Sequence, residues 1–138
     1  MKGIESLIKL HKFELDEKRR TLKELETAQA NIVGAIDALE TQIINEQNSA
    51  RISEVVYAYG AFADASIKRR EALQQSLAVS TREVEAARDV VTESFGELKK
   101  YEITKAARDR ALEQEANRRE GIFLDELGIT VHSRKYNP

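Results

Sequence analysis

The feature that most constrains the fold of this sequence is an apolar stripe near its N-terminus. The stripe advances by alternating steps of four and three residues. Its members are Ile4, Ile8, His11, Leu15, Lys18, Leu22, Leu25, Gln29, Ile32, Ile36, Leu39 and Ile43, and nine of these twelve are Leu or Ile. An apolar repeat of about 3.5 residues is the seam of a left-handed coiled coil. The stripe therefore predicts one long helix that pairs along this face.

A second stripe with the same repeat occupies the middle of the chain. Its members are Val56, Tyr59, Ala63, Ser66, Arg70, Leu73, Leu77, Ser80, Val84, Ala87, Val91, Ser94, Leu98 and Tyr101. Several positions are small, so large side chains of the first helix could fill the spaces beside them. Residues 46–51, between the stripes, carry little that could pack. They predict a turn at about residues 48–58.

Two long helices with a short link fold back antiparallel most simply. We therefore predict an all-α fold: two long helices form an antiparallel coiled-coil hairpin, in one elongated domain over residues 1–138. Helix 1 spans about residues 3–47, and helix 2 runs to about residue 127. Opposing residues then have a constant sum of residue numbers. A sum of 102 pairs Leu25 with Leu77, a sum of 109 pairs Gln29 with Ser80, and the sequence leaves both registers open.

Helix 2 is predicted to be longer than helix 1 and to overhang it. Beyond Tyr101 the seam positions are Lys105, Arg108, Leu112, Glu115 and Arg119, of which four are charged. Such positions do not bury a seam, and helix 1 supplies no residues opposite them. Gly128 fits the residue that follows a helix C-terminus, which predicts a loose tail over residues 129–138.

Composition and charge exclude several functional classes. The net charge is −2, and acidic and basic residues alternate finely, which argues against nucleic acid as a partner. The sequence contains no cysteine, so disulfides and thiolate metal sites are excluded. It also lacks an apolar run of about 18 residues, which argues against direct membrane insertion. We expect a cytoplasmic protein.

The sequence offers no candidate reaction centre. His11 and His132 are its only histidines, and neither has neighbours at the spacing of a catalytic triad or a metal site. All six glycines are isolated, so no phosphate-binding loop is present. We predict a non-enzymatic protein with no catalytic, metal-binding or cofactor-binding residues and no cofactor.

Apolar residues away from the seam are the candidate functional residues. They form three groups: Leu10 and Phe13; Tyr57 and Phe62, beside Tyr59; and Ile122, Phe123, Leu124 and Leu127. Exposed apolar clusters rimmed by charge usually mark interfaces, which predicts partner contact. Packing at the ends of the hairpin is the alternative, and the sequence leaves both open.

Blocks outside the heptad pattern resemble the flagellar export protein FliJ family, in its alphaproteobacterial form. The resemblance covers the whole chain. It rests on residues 7–13 (LIKLHKF), 15–20 (LDEKRR), 59–63 (YGAFA) with Arg69 and Arg70, 95–102 (FGELKKYE) and 125–127 (DEL). The ending at residues 130–134 (TVHSR) is only close to that of the family.

The resemblance implies a specific role. FliJ-like proteins form the central stalk of the flagellar type III export ATPase, similar in shape to the rotary stalk of F-type ATPases. It implies that the open end of the hairpin, where both chain termini lie, enters the hexameric ATPase ring. It also implies that the hairpin tip, at the turn between the helices, touches the export gate membrane protein FlhA. It also implies that the protein escorts export chaperones, peripherally associated with the membrane-embedded export apparatus. The ATPase-binding residues would be Leu10, Phe13, Lys105, Arg108, Phe123, Leu124 and Leu127, and the tip residues Tyr57, Tyr59 and Phe62.

Two other functions remain open at this point. A generic coiled-coil scaffold that oligomerises should carry a second apolar stripe along its outer faces, where this sequence is mostly charged. A holdase-type chaperone should bind unfolded proteins broadly through the ends of its hairpin.

Overall fold

A computed structural model describes the backbone of residues 2–52 and 56–136 and the side chains of residues 3–51 and 59–135. The described chain consists of two α-helices, α1 (Lys2–Ile52) and α2 (Val56–Tyr136). The helices pack against each other as a helical hairpin, and α2 is the longer. The predicted all-α hairpin fold is therefore confirmed.

The ends of the helices differ from the sequence prediction. Helix α1 continues through residues 46–51 to Ile52, so the expected end at residue 47 and turn from residue 48 are wrong. All of these residues except Ala50 are polar, but none is Gly or Pro, so nothing in the backbone interrupts the helix. Residues 53–55 lie outside the description.

Helix α2 passes through Gly128 and continues to Tyr136, so the predicted loose tail is wrong over residues 129–136. No glycine in the described chain has a positive φ, which excludes the expected left-handed cap at Gly128. A glycine inside a helix costs only about 1 kcal/mol relative to alanine, which is too little to end a helix by itself.

Contacts divide the chain into two units. The first unit combines Met1–Lys12 with Gly96–Pro138, and the second comprises Phe13–Phe95. The prediction of one elongated domain stays a prediction.

The core of the Phe13–Phe95 unit follows the two predicted stripes. Leu15, Leu39, Leu73 and Val84 are buried, as are the small seam residues Ser66, Ser80 and Ser94. Every other described stripe position in the unit is half-buried. The seam was therefore predicted correctly from the heptad spacing.

Two side-chain contacts fix the register of this unit. Gln29 donates through Nε2 to Oγ1 of Thr81 at 3.1 Å, and Arg70 donates through Nε to Oε1 of Glu40 at 2.6 Å. Both pairs of residue numbers sum to 110, one from the register of 109 and eight from that of 102. The register of 109 therefore holds here, and it places Gln29 opposite Ser80.

In the other unit the first turns of α1 pack on the middle of α2. Ile4, Ile8 and Leu98 are buried there. The His11 ring stacks on the Tyr101 ring, with centroids 4.7 Å apart and planes inclined by 25°. From residue 106 to residue 135 every side chain is exposed except that of Glu115, which is half-buried. This stretch, here called the unpaired segment, confirms that α2 extends beyond its contact with α1.

Candidate partner-binding surface

Lys105 lies where α2 leaves its contact with α1. Its Nζ donates to Oδ2 of Asp109, one turn further along α2, at 2.7 Å. This hydrogen bond and the Asp109 charge, with a smaller contribution from Glu5, raise the pKa of Lys105 above its ordinary value. Lys105 therefore carries a positive charge at any physiological pH.

Two shallow grooves flank this ion pair. One, of about 390 Å³, is lined mainly by charged side chains of both helices: Glu5, Ile8, Lys9, Lys12, Glu102, Lys105, Ala106 and Asp109. The other, of about 360 Å³, is lined by Ile4, Lys105, Arg108, Asp109, Ala111 and Leu112. The second groove brings the first turn of α1 next to the start of the unpaired segment.

Further along the unpaired segment, three charged residues form a cluster. Arg118 donates to both carboxylate oxygens of Glu115, at 3.0 Å and 2.7 Å, and Arg119 donates to one of them at 3.1 Å. The Arg118 hydrogen bond, assisted by that of Arg119, holds the pKa of Glu115 below its ordinary value, and the same contact raises the pKa of Arg118. The cluster keeps one net positive charge.

The apolar residues predicted to bind the ATPase are exposed. Phe123, Leu124 and Leu127 all project from the unpaired segment, and Leu10 is exposed in the same unit. Phe13 is exposed in the Phe13–Phe95 unit. Of the two cations in that prediction, Lys105 is half-buried and Arg108 is exposed. The contacts that these residues make with partners stay a prediction.

The sequence prediction missed Leu112, the first large apolar residue of the unpaired segment, which is 68% exposed. It was assigned to the seam but not to a binding surface. The available signal was an apolar residue at a seam position where no partner helix exists.

Tyr59 and Phe62, two of the three predicted tip residues, are less exposed than the group at the end of α2. The rings of Tyr59 and Phe62 lie 6.4 Å apart and are tilted by 38°. Both side chains are half-buried. The side chain of Tyr57 lies outside the described residues.

Several apolar residues on the outer faces of the Phe13–Phe95 unit were not anticipated as exposed: Val33, Ile44, Ile67, Val79 and Val90. Ile67 and Val79 are twelve residues apart, which places them on different faces of α2. These residues do not form one continuous stripe.

Within residues 3–51 and 59–135 no cluster of His, Asp and Glu could hold a metal ion. Neither helix, over its described length, is long and apolar enough to cross a membrane.

The fold and these surfaces define a class: a two-helix hairpin protein whose candidate sites are surfaces for other proteins. The chain matches the family model described as flagellar FliJ protein over residues 1–137 and belongs to that family. The family is a non-catalytic component of flagellar export, so the role is related to flagellar protein export. No curated protein and no solved structure matched the chain.

Proposed function

We propose that this chain is a non-enzymatic stalk and chaperone-escort component of the flagellar type III export apparatus. It binds the hexameric export ATPase through one end and the export gate protein FlhA through the other, and it escorts export chaperones. It acts in the cytoplasm, peripherally associated with the membrane-embedded apparatus. The observation that carries the proposal is the family match over residues 1–137, which includes the unpaired segment.

The ATPase-binding residues in this proposal are Leu10, Phe13, Lys105, Arg108, Phe123, Leu124 and Leu127. Their exposure supports the assignment for the five apolar members. A single helix with side chains is about 10–12 Å across, which is narrow enough to enter the centre of a ring. Some charges of the unpaired segment are held in ion pairs, such as those of Arg118 and Arg119 with Glu115, which would present a fixed pattern to the ring.

The gate-binding residues in this proposal are Tyr57, Tyr59 and Phe62. Tyrosine and phenylalanine contribute large contact areas and are enriched at protein interfaces. The half-buried Tyr59–Phe62 pair supports a small aromatic surface near the start of α2.

The experiment mixes the purified chain with the cognate export ATPase and follows hexamer formation by sedimentation and ATP turnover by phosphate release. We expect both to increase. A chain with the double substitution Phe123→Asp and Leu127→Asp should increase them less. If neither quantity changes with the unsubstituted chain, and circular dichroism shows that it is helical, the stalk proposal is wrong.

Two alternatives predict different results in simple assays. A generic oligomerisation scaffold would form a stable dimer or larger assembly without any partner. The exposed apolar residues of the Phe13–Phe95 unit give it little support, because they lie on different faces. A holdase would suppress aggregation of unrelated unfolded proteins, and the stalk proposal predicts no such activity.

A further inference from the structure

The unpaired segment carries an apolar stripe of its own. Leu112, Ala116, Phe123 and Leu127 are separated by four, seven and four residues. At about 3.6 residues per turn this spacing keeps them on one face of α2, within about 60° of arc. All four are exposed, Leu112 at 68% and Phe123 at 59%. A straight helix in water gains nothing from aligning apolar side chains, so the alignment points to a partner that covers them.

This stripe continues an interface that the structure already contains. Every seven residues, or about two turns, the same side of α2 presents Leu98, then Lys105, then Leu112. Leu98 is buried where the first turns of α1 pack on α2. The groove lined by Ile4 and Leu112 lies between the end of that packing and the start of the stripe. It has the form of the hole into which a coiled coil inserts a side chain of its next helix.

The two edges of the stripe differ in charge. Glu113 and Glu120 flank one side, and neither forms an ion pair with any residue that the structure describes. The other side carries Arg119 and the carboxylate of Glu115, which Arg118 and Arg119 share. One edge is therefore negative. The other carries the net positive charge of the Glu115 cluster, followed about two turns later by Glu126.

These charges argue against a second copy of this chain as the occupant. Antiparallel pairing of two unpaired segments would place Glu113 of one copy beside Glu120 of the other, and like charges repel. Parallel pairing would need the space beside Leu98 that α1 already fills.

We infer that the stripe binds one amphipathic helix of another protein, which extends the coiled-coil seam beyond α1. That helix carries leucine-like residues at heptad spacing, Lys or Arg on the edge that faces Glu113 and Glu120, and Asp or Glu on the edge that faces Arg119. The inference rests on the proposed function only in assigning that helix to a component of the export apparatus.

The test uses the full chain and two synthetic helical peptides of 21 residues, a length of about six helical turns. Both peptides have leucine at heptad core positions. The mixed-edge peptide has lysine along one edge and glutamate along the other, whereas the acidic-edge peptide has glutamate along both. Titration calorimetry measures their affinity. We expect one mixed-edge peptide per chain, bound about three-fold to ten-fold more tightly than the acidic-edge peptide.

Two sets of variants locate the binding site. Phe123→Asp combined with Leu127→Asp should weaken binding of the mixed-edge peptide by at least about ten-fold, because the stripe loses two of its three large apolar side chains. Ile103→Asp is the matched control, since Ile103 is 65% exposed on the opposite face of α2. The Ile103→Asp chain should bind the mixed-edge peptide with the same affinity as the unsubstituted chain. Glu113→Lys combined with Glu120→Lys should reverse the preference, so that the acidic-edge peptide binds more tightly.

Three results would overturn the inference. The first is no peptide binding by a chain that circular dichroism shows to be helical. The second is equal weakening by the Ile103→Asp control. The third is a dimer of the chain, seen by sedimentation, that dissociates when Phe123 and Leu127 are replaced, because the occupant would then be a second copy.

The peptide assay contains no ATPase, so its outcome is separate from that of the proposed function. Expected peptide binding by a chain that leaves the ATPase unchanged contradicts the stalk proposal and supports the helix-binding stripe. The opposite outcome is that no peptide binds, while the unsubstituted chain and the Phe123→Asp, Leu127→Asp variant stimulate the ATPase equally. That outcome contradicts the helix-binding stripe and leaves the stalk proposal in place.

Discussion

Arg70 of α2 donates two hydrogen bonds to Glu40 of α1, from Nε to Oε1 at 2.6 Å and from Nη2 to Oε2 at 3.0 Å. Two-point contacts between guanidinium and carboxylate groups are the strongest ion pairs of ordinary proteins. Arg70 occupies a seam position, where an apolar residue would be usual. Its charge therefore requires a partner from the opposing helix.

Loss of this contact should destabilise the hairpin. We expect Glu40→Ala to lower the free energy of unfolding by about 1 kcal/mol, a modest figure because the two side chains are 36% and 45% exposed and partly screened by water. Urea unfolding followed by circular dichroism measures this change. The control is Glu17→Ala, which removes an exposed pair within α1 and should cost less than about 0.5 kcal/mol. Equal losses in the two variants would contradict a special role for the Arg70 contact.

The register can be tested by cross-linking, since the sequence contains no cysteine to interfere. Oxidation of a variant with Gln29→Cys and Ser80→Cys should form an intramolecular disulfide rapidly, because these positions lie opposite each other in the register of 109. The variant with Gln29→Cys and Leu73→Cys should form it slowly, because that pair requires the register of 102. Electrophoresis under non-reducing conditions measures both rates, and faster closure of the second pair would contradict the register.

Removal of the Ser94 hydroxyl should stabilise the protein. Ser94 is 4% exposed, and its Oγ has no hydrogen-bond partner among the described residues. A buried hydroxyl without a partner is unfavourable, and alanine favours helix more than serine does. We expect Ser94→Ala to raise the free energy of unfolding by about 1 kcal/mol, measured by urea unfolding.

Ser80→Ala is the matched control for Ser94→Ala. Ser80 is also buried in the seam, but its Oγ is not a fully buried atom that lacks a hydrogen-bond partner. It should gain only the helix-propensity contribution of about 0.5 kcal/mol. A loss of stability in Ser94→Ala would show that the hydroxyl has a partner.

The Glu115 cluster predicts a specific response to acid. Because Arg118 and Arg119 lower the pKa of Glu115, the cluster stabilises the helix at pH values above the ordinary carboxyl value near 4.5. That contribution is lost as the pH falls through the lowered pKa of Glu115. Titration by NMR should give a Glu115 midpoint below 4.5, and Arg118→Met should raise it. An unchanged midpoint in Arg118→Met would show that the contact does not form in solution.

The aromatic pair near the start of α2 tests the proposed gate contact. Tyr59→Ala combined with Phe62→Ala should weaken binding to the soluble domain of the export gate protein by at least about ten-fold, since aromatic residues dominate many interfaces. Ile67→Ala, at an exposed apolar residue further along α2, should leave it unchanged. Biolayer interferometry measures the affinity of both variants for the gate domain. Equal weakening in the two variants would contradict the assignment of Tyr59 and Phe62 to the gate contact.

The heptad spacing was sufficient to predict both seams, because side chains at steps of three and four share a face of a helix whatever its partner. It was not sufficient for the register. A shift of seven residues aligns the same seam positions, and only polar pairs such as Gln29 with Thr81 distinguish the two. The helix end placed at Gly128 was wrong because a glycine ends a helix only when the backbone turns left-handed there.

The candidate site was predicted less completely. The exposure of Phe123, Leu124 and Leu127 could be anticipated, since no residues of α1 lie opposite them. Leu112 was missed because it was grouped with the charged seam positions of the overhang, and its apolar side chain was not counted as a contact surface. The half-burial of Tyr59 and Phe62 depends on how the start of α2 packs, which a repeat pattern does not specify.

Gly121 and Gly128 interrupt no packing in α2, since a Cβ added at either position would meet nothing within 4 Å. Each of them nevertheless lowers the cost of opening a helical turn by about 1 kcal/mol relative to alanine. If a rotating partner applies torque to this part of α2, the helical turns that contain Gly121 and Gly128 will unwind first. The helix would then bend most easily on either side of Phe123 and Leu127, and alanine at both glycines would make this part of α2 stiffer.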